Sequence, residues 1–198
     1  MPQSDAELLV AMRHSAHEEL LFFSNKGKEG RERWVVSKFL ERHQLAFVAS
    51  ELTSPHQQSQ TDVHFRDANF QVKEVLTPGS KRSDEVKATY ERLKLATKLE
   101  EVVGPSFIYD IPPPTTIYSL VSTEAATLAS DPKYQGTRGD LDLLFYVTRI
   151  AASPIREEEI DRDQLARLGW RSISCLAGAQ ATVLFAQSRA PTFLHARE

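Results

Sequence analysis

Between residues 5 and 23 apolar side chains return at helical spacing, at Leu8, Leu9, Met12, Ala16, Leu20 and Phe23. Ser4 and Glu7 supply a capping box in front of them. NKGKEGR then reads as a loop. A second helix is predicted over 31–43, burying Val35, Val36, Phe39 and Leu40 and showing Arg31, Lys38, Glu41 and Arg42 to water. LAFVASEL, 45–52, reads as a strand, and TSPHQQSQ after it as a polar loop. Two short alternating runs, DVHF at 62–65 and FQVKEVL at 70–76, flank Arg66-Asp67-Ala68-Asn69 and give a hairpin signature. Pro78 and Gly79 end the second run, and a long helix over 82–103 stops at Gly104-Pro105.

Three consecutive prolines, 112–114, enforce an extended connector, and a short helix is predicted to begin at Ser122. LDLLFYVT, 141–148, is an unbroken apolar run of the kind found in strands covered on both faces. IREEEIDRDQLARLG reads as a helix closed by Gly169, and RSISCLAG and ATVLFAQ as two strands around a short turn. This order predicts an α/β fold, with a central mixed β-sheet flanked by helices. The expectation is a single domain over residues 1–198.

The chain has 198 residues, 41% of them hydrophobic and 26% charged, which suffices for a core without staples. Cys175 is the one cysteine, so an internal disulfide framework and a multi-cysteine zinc site are excluded. Arg13, His14, Glu18 and Glu19 interrupt the N-terminal apolar pattern too often for a signal peptide or a membrane span. A cytoplasmic protein that does not enter membranes is expected. The net charge of −3 argues against coating nucleic acid by bulk charge. Its distribution says more: residues 26–42 carry six Lys/Arg against three Glu, and residues 66–98 carry eight against five acids.

Candidate chemistry concentrates in the hairpin. A four-residue connection would pair Phe65 with Phe70, His64 with Gln71 and Asp62 with Lys73. Val63, Phe65, Phe70 and Val72 then share the core face, and Asp62, His64, Gln71 and Lys73 share the other. A carboxylate, an amide, an ammonium and an imidazole converge there. The plain alternative is a solvated sheet face with an Asp–Lys pair worth under ~1 kcal/mol.

The run TDVHF-RDAN-FQVKEV, beside a basic helix bearing Glu32, resembles the PD-(D/E)xK nuclease superfamily, whose fold is that of restriction endonucleases. Asp62 matches the signature's first acid, Gln71-Val72-Lys73 its acidic-x-Lys tripeptide, and Glu32 the acid often drawn from the preceding helix. Glu29 is the fallback for that helix acid. Thr61 stands where a proline is usual, and Gln71 where an acid is usual, as in the Mrr-like restriction branch. The helix–strand–strand–strand–helix–strand core would span about 30–150, with an N-terminal helix and a C-terminal helix-plus-hairpin elaboration. More closely, the whole chain resembles a bacterial family labelled as endonuclease candidates.

The resemblance implies a metal-dependent nuclease that hydrolyses phosphodiester bonds in nucleic acid, DNA above all. Magnesium would be held by the Asp62 and Glu32 carboxylates, the Gln71 side-chain carbonyl and the Val72 backbone carbonyl. Lys73 would position the attacking water or stabilise charge in the transition state. A different class stays open: a catalytically inactive nuclease-fold module that binds nucleic acid or a protein partner, having lost a metal carboxylate at Gln71.

The helix predicted over 82–103 would place Lys87, Lys94 and Lys98 along one line to track a phosphate backbone, with Glu91 and Glu101 paired to the lysines. A salt-bridged solvated face explains the same pattern. His14, His17 and Glu18 could grip a metal, although an exposed helix face explains them better; Asp140 with Asp142 could form a second acidic pair, which strand-end solvation explains equally well. His64, a lone strand histidine, is more often structural. Cys175 has no sequence-local base.

Overall fold

The computed structural model describes residues 4–56, 58–76, 82–102, 116–148 and 152–195, the side chains of Arg82 and Ser83 excepted. The polyproline connector at 112–114 and the helix and strand ends at Pro78-Gly79 and Gly104-Pro105 lie outside these residues. The chain divides into two compact units, residues 1–31 with 78–111 and residues 32–77 with 112–198. No helix among the described residues is long and apolar enough to cross a membrane.

The first unit carries α1 (Asp5–Phe22) and α3 (Arg82–Leu95). Ser4 and Glu7 close the predicted capping box at the start of α1. Leu9 and Ala16 pack with Leu93, Ala96 and Val102 in a small core. The helix expected to continue to 103 ends at Leu95, and residues Leu99–Glu101 form a separate 3-10 turn. Side chains break it. Arg13 Nε donates to the Leu93 carbonyl at 2.9 Å, and the same guanidinium reaches the Ala96 carbonyl, so one of the last carbonyls of α3 and the first beyond it are taken. The Glu101 carboxylate accepts the Thr97 and Lys98 N–H groups.

The second unit is built on a five-stranded mixed sheet in the order β1-β2-β3-β4-β5: Val63–Phe65, Ala68–Val75, Asp142–Val147, Ser172–Ala177 and Gln180–Ala186. β2, β3 and β4 are parallel, and each edge strand runs antiparallel to its neighbour. Strand alternation sends Val63, Phe65, Phe70, Leu144 and Leu176 to one face, where Val35, Val36, Phe39 and Leu40 of α2 (Lys28–Arg42) cover them. Val75, Leu143, Phe145, Ile173 and Cys175 point to the other face, covered by Val121, Ala125 and Ala129 of α4 (Ile117–Ser130) and Leu165 of α5 (Arg162–Arg167). This two-sided burial is why β3 reads as a continuous apolar run.

Element ends differ from the sequence reading where local hydrogen bonds intervene. α2 starts at Lys28 rather than 31, behind a 3-10 turn at Asn25–Gly27. α4 starts at Ile117, not Ser122, because the Thr116 hydroxyl caps the Ser119 N–H at 3.1 Å. The helix predicted across 155–168 is two pieces, a 3-10 turn at Glu157–Glu159 and α5, since Asp161 caps the Gln164 N–H at 2.8 Å.

LAFVASEL is not a strand. Leu45, Phe47 and Leu52 still enter the α2-side core, but a 3-10 turn occupies Ala49–Glu51, and one bridge, Thr53 to His64, is the segment's tie to the sheet. Side chains satisfy its backbone instead: Arg66 Nη2 donates to the Ala46 carbonyl at 2.9 Å, and Glu51 accepts the Val48 N–H at 2.8 Å.

The hairpin register also differs. Val63 pairs with Phe70, His64 with Asn69 and Phe65 with Ala68, around a two-residue Arg66-Asp67 turn. Arg66 adopts φ 52°, the left-handed conformation that tight hairpin turns demand. Its guanidinium is held by Glu51 at 3.1 Å and lies over the Phe65 ring at 4.7 Å. The shift is two residues, so every side chain keeps the face assigned to it.

One buried carboxylate ties this hairpin to the parallel strands. Asp142, 0% exposed at the start of β3, accepts from the Asn69 N–H at 2.9 Å and from the Ser172 hydroxyl at 2.8 Å. Arg171 clamps it with two nitrogens, Nε at 3.0 Å from Oδ1 and Nη2 on Oδ2, and the same Nη2 donates to the Asp67 carbonyl in the hairpin turn. Asp140, by contrast, is exposed and pairs with Arg189 at 3.5 Å, so the two acids form no site together. Replacing Arg171 with Met leaves the Asp142 charge buried without its clamp. A loss of about 3–5 kcal/mol in unfolding free energy is expected, read as a lowered urea midpoint. A loss below ~1 kcal/mol would show that the clamp is dispensable.

Candidate active site

The face of β2 that looks toward α4 brings Asp62, Gln71 and Lys73 together, although not in the pairing expected. Asp62 stands just before β1, and its N–H donates to the Phe70 carbonyl at 2.8 Å. The observed register therefore sets Asp62 opposite Gln71, with Lys73 two residues further along the same face. Asp62 Oδ2 accepts the Val72 N–H at 2.9 Å and the Gln71 side-chain amide. Lys73 is half-buried, while Gln71 is 3% exposed.

Two residues that the sequence reading passed over complete the face. The Tyr134 hydroxyl approaches Gln71 Oε1 at 3.5 Å, and its buried ring meets Trp170 edge-on, 5.2 Å between centroids. Lys73 Nζ lies 5.8 Å from the centre of that ring, and Lys133 Nζ 5.2 Å. Cations over an aromatic face are stabilised by its quadrupole, so Tyr134 gathers two ammonium groups around its ring. Gln60 fixes the segment before Asp62 to this turn, bonding the Lys133 carbonyl and the Thr137 hydroxyl. Nothing in PKYQG marks these residues from sequence alone, because they meet β2 only through the fold.

Glu32 is placed differently. It is 7% exposed, one turn ahead of Val35 and Val36 on the inward stripe of α2, and that helix covers the opposite, Phe70–Leu144 face. Glu29, the fallback, is exposed. Val72 turns its side chain into the α2-side core and its N–H toward Asp62, and ladder geometry directs its carbonyl to the same side as that N–H.

Among the described residues, the oxygen donors placed on the Asp62 face include its carboxylate, the Gln71 amide oxygen and the Val72 carbonyl. No group of three or more His, Cys, Asp or Glu side chains among the described residues is arranged to hold a metal ion. Hard oxygen donors with a single carboxylate suit magnesium, which keeps most of its waters and is commonly completed by substrate phosphate. Such a donor set fits magnesium.

The remaining candidates resolve separately. Lys87 and Lys94 lie on α3, and Lys94 pairs with Glu91 at 3.7 Å, both exposed. Lys98 falls beyond the end of α3 with extended backbone, so the three lysines do not share one helical line. They belong to the other unit. His14 pairs with Glu18 at 3.9 Å on an exposed surface, and His17 packs on Tyr90. His64 Nδ1 bonds Asn69 Oδ1 at 2.8 Å, the structural role expected of it.

A family model described as "Putative endonuclease, protein of unknown function (DUF1780)" matches residues 4–198. The chain belongs to that family. It is also similar to a solved structure from Pseudomonas aeruginosa strain PAO1, a protein of unknown function described as a member of the monooxygenase superfamily. The two are 27% identical with a TM-score of 0.58, over 97% of this chain and 91% of the other. No curated protein sequence matches the chain.

Cys175 of β4 points into the α4-side core, 1% exposed, and burial pushes its thiol from the ordinary 9.0 up to about 12. A raised thiol favours the folded state below pH 9, and that contribution is lost as pH rises from about 9 through about 12. At pH 8 a disulfide exchange reagent should therefore label no thiol in the native protein and one per chain after denaturation. Rapid native labelling would contradict the packing of this face.

Proposed function

We propose that the protein is a nuclease hydrolysing phosphodiester bonds of DNA on the Asp62–Gln71–Lys73 face. The observation that carries this reading is the placement of Asp62, Gln71 and Lys73 side by side at the end of the β1–β2 hairpin. The element order α2, β1, β2, α3, β3 supports it, since it follows the restriction-endonuclease arrangement save for the irregular 45–52 segment. The description of the family points the same way.

A phosphate entering this face meets two ammonium groups. Lys73 and Lys133, held over Tyr134, offset the negative charge of a phosphodiester and of the trigonal-bipyramidal oxygens that develop during attack. Asp62 accepts hydrogen bonds and orients the Gln71 amide, and a water between Asp62 and Lys73 would be held by both. Magnesium, when bound, would add charge neutralisation at the phosphate, held by Asp62, Gln71 Oε1 and the Val72 carbonyl.

One observation favours a second reading, a nuclease-fold module that binds nucleic acid without cutting it. Asp62 Oδ2 is already engaged by both the Gln71 amide and the Val72 N–H. A cleavage assay on linear and supercoiled DNA and on RNA, across a magnesium titration, separates the two. Magnesium-dependent cutting of DNA that disappears in both Asp62→Ala and Lys73→Ala is expected, with far-UV circular dichroism unchanged. Gln71→Glu restores a second carboxylate and should tighten magnesium binding by about tenfold or more in calorimetry. Salt-sensitive DNA binding with no cutting by wild type or Gln71→Glu would establish the module instead.

A further inference from the structure

A second cleft lies within the same unit, at the carboxyl ends of the parallel strands β3 and β4. It encloses about 840 Å³ and is lined by Trp34, Lys38, Glu41 and Arg42 of α2, by Tyr146, Val147 and Thr148, and by Leu176, Ala177 and Gly178 with Ile117. This is the end of a parallel sheet at which α/β folds hold their ligands, and the volume is that of a small-molecule site. Its lining draws on both faces at the strand ends, with Tyr146 and Leu176 from the α2 side and Val147, Ala177 and Ile117 from the α4 side.

Its walls are graded. Trp34, Lys38 and Arg42 follow one another at four-residue steps along α2, so they form a single stripe running from aromatic to cationic. Trp34 is 39% exposed and meets Tyr146 edge-on, 5.7 Å between ring centroids, which gives the cleft an aromatic wall. Leu176, Val147 and Ile117 make an apolar floor. At the cationic end Lys38 is neutralised by Glu41 at 2.7 Å, whereas Arg42 makes no ion pair among the described residues. The Thr148 hydroxyl oxygen is buried and without a hydrogen-bond partner among the described residues, a group that a polar ligand atom would satisfy. A Cβ on Gly178 would meet no heavy atom within 4 Å, so the mouth of the cleft is open there.

We infer that this cleft binds a nucleotide, its base against Trp34 and Tyr146 and its phosphate on Arg42. A planar apolar body with one anionic group matches this sequence of walls. Base–aromatic stacking tolerates any base, and an arginine fork matches phosphate geometry. The nucleotide is supplied either free or as an unpaired position of a single strand, which offer the same chemistry. The inference goes beyond the proposed function and does not rest on it, because the two sites share no residue.

Calorimetric titration with AMP, adenosine and a ten-residue oligothymidylate tests the site. Quenching of Trp34, the accessible one of the two tryptophans since Trp170 is 0% exposed, gives an independent reading. Saturable AMP binding is expected, weaker for adenosine, and reduced about tenfold or more by Arg42→Gln and by Trp34→Ala. Ala177→Leu, which adds bulk at the cleft lining, should reduce it as well, while Lys73→Ala should leave it unchanged. Oligothymidylate binding with the same residue dependence identifies a strand as the source; AMP binding without it identifies the free nucleotide. Absence of binding by either probe, or binding indifferent to both Arg42→Gln and Ala177→Leu, would overturn the assignment. Loss of cleavage in Lys73→Ala with AMP binding retained keeps the two sites' outcomes distinct.

Discussion

A charge buried at the start of β3 organises the larger unit. Asp142 is fully buried, and it is tolerated because Arg171, the Ser172 hydroxyl and the Asn69 N–H all converge on it. Those partners come from β2, from the start of β4 and from the residue just before it, and Arg171 also grips the carbonyl of Asp67 in the hairpin turn. The geometry admits one alignment of these strands, with Phe70 beside Asp142 and Asp142 beside Ser172. A slip of one residue would strand the carboxylate and turn every core side chain outward.

The candidate active site inherits its geometry from that alignment. With Phe70 fixed on the α2 side, Gln71 and Lys73 must point toward α4, and the two-residue turn brings Asp62 opposite Gln71. Glu32 is buried on α2, the helix that covers the other face of the sheet. On the Gln71 side, Lys133 joins Lys73 around Tyr134. Such a pairing favours holding phosphate through charge.

Long-range bonds from side chains to backbone decide where several elements stop. Arg13 ends α3 by taking carbonyls at and just beyond its end, and Arg66 with Glu51 keeps the 45–52 segment out of the ladder. Both arginines act on residues distant in sequence or across a turn. Apolar periodicity carries no trace of such bonds, since it reports which side chains are buried and not how the backbone is satisfied.

Hydrophobic periodicity by itself determined the mixed α/β order, the core stripe of α2, the buried strand β3, the C-terminal hairpin and the face on which Asp62, Gln71 and Lys73 stand. These depend on side-chain alternation and on local caps, which neighbouring residues specify. Only the tertiary structure decided the hairpin register, the division into two units, the burial of Glu32 on α2 and the arrival of Tyr134 and Lys133 at the site. It also turned Asp142 from a surface candidate into the pin of the sheet. Each of these rests on pairs of residues far apart in the chain, brought together when one buried charge and two covered sheet faces are satisfied at once, and no local pattern encodes that coincidence.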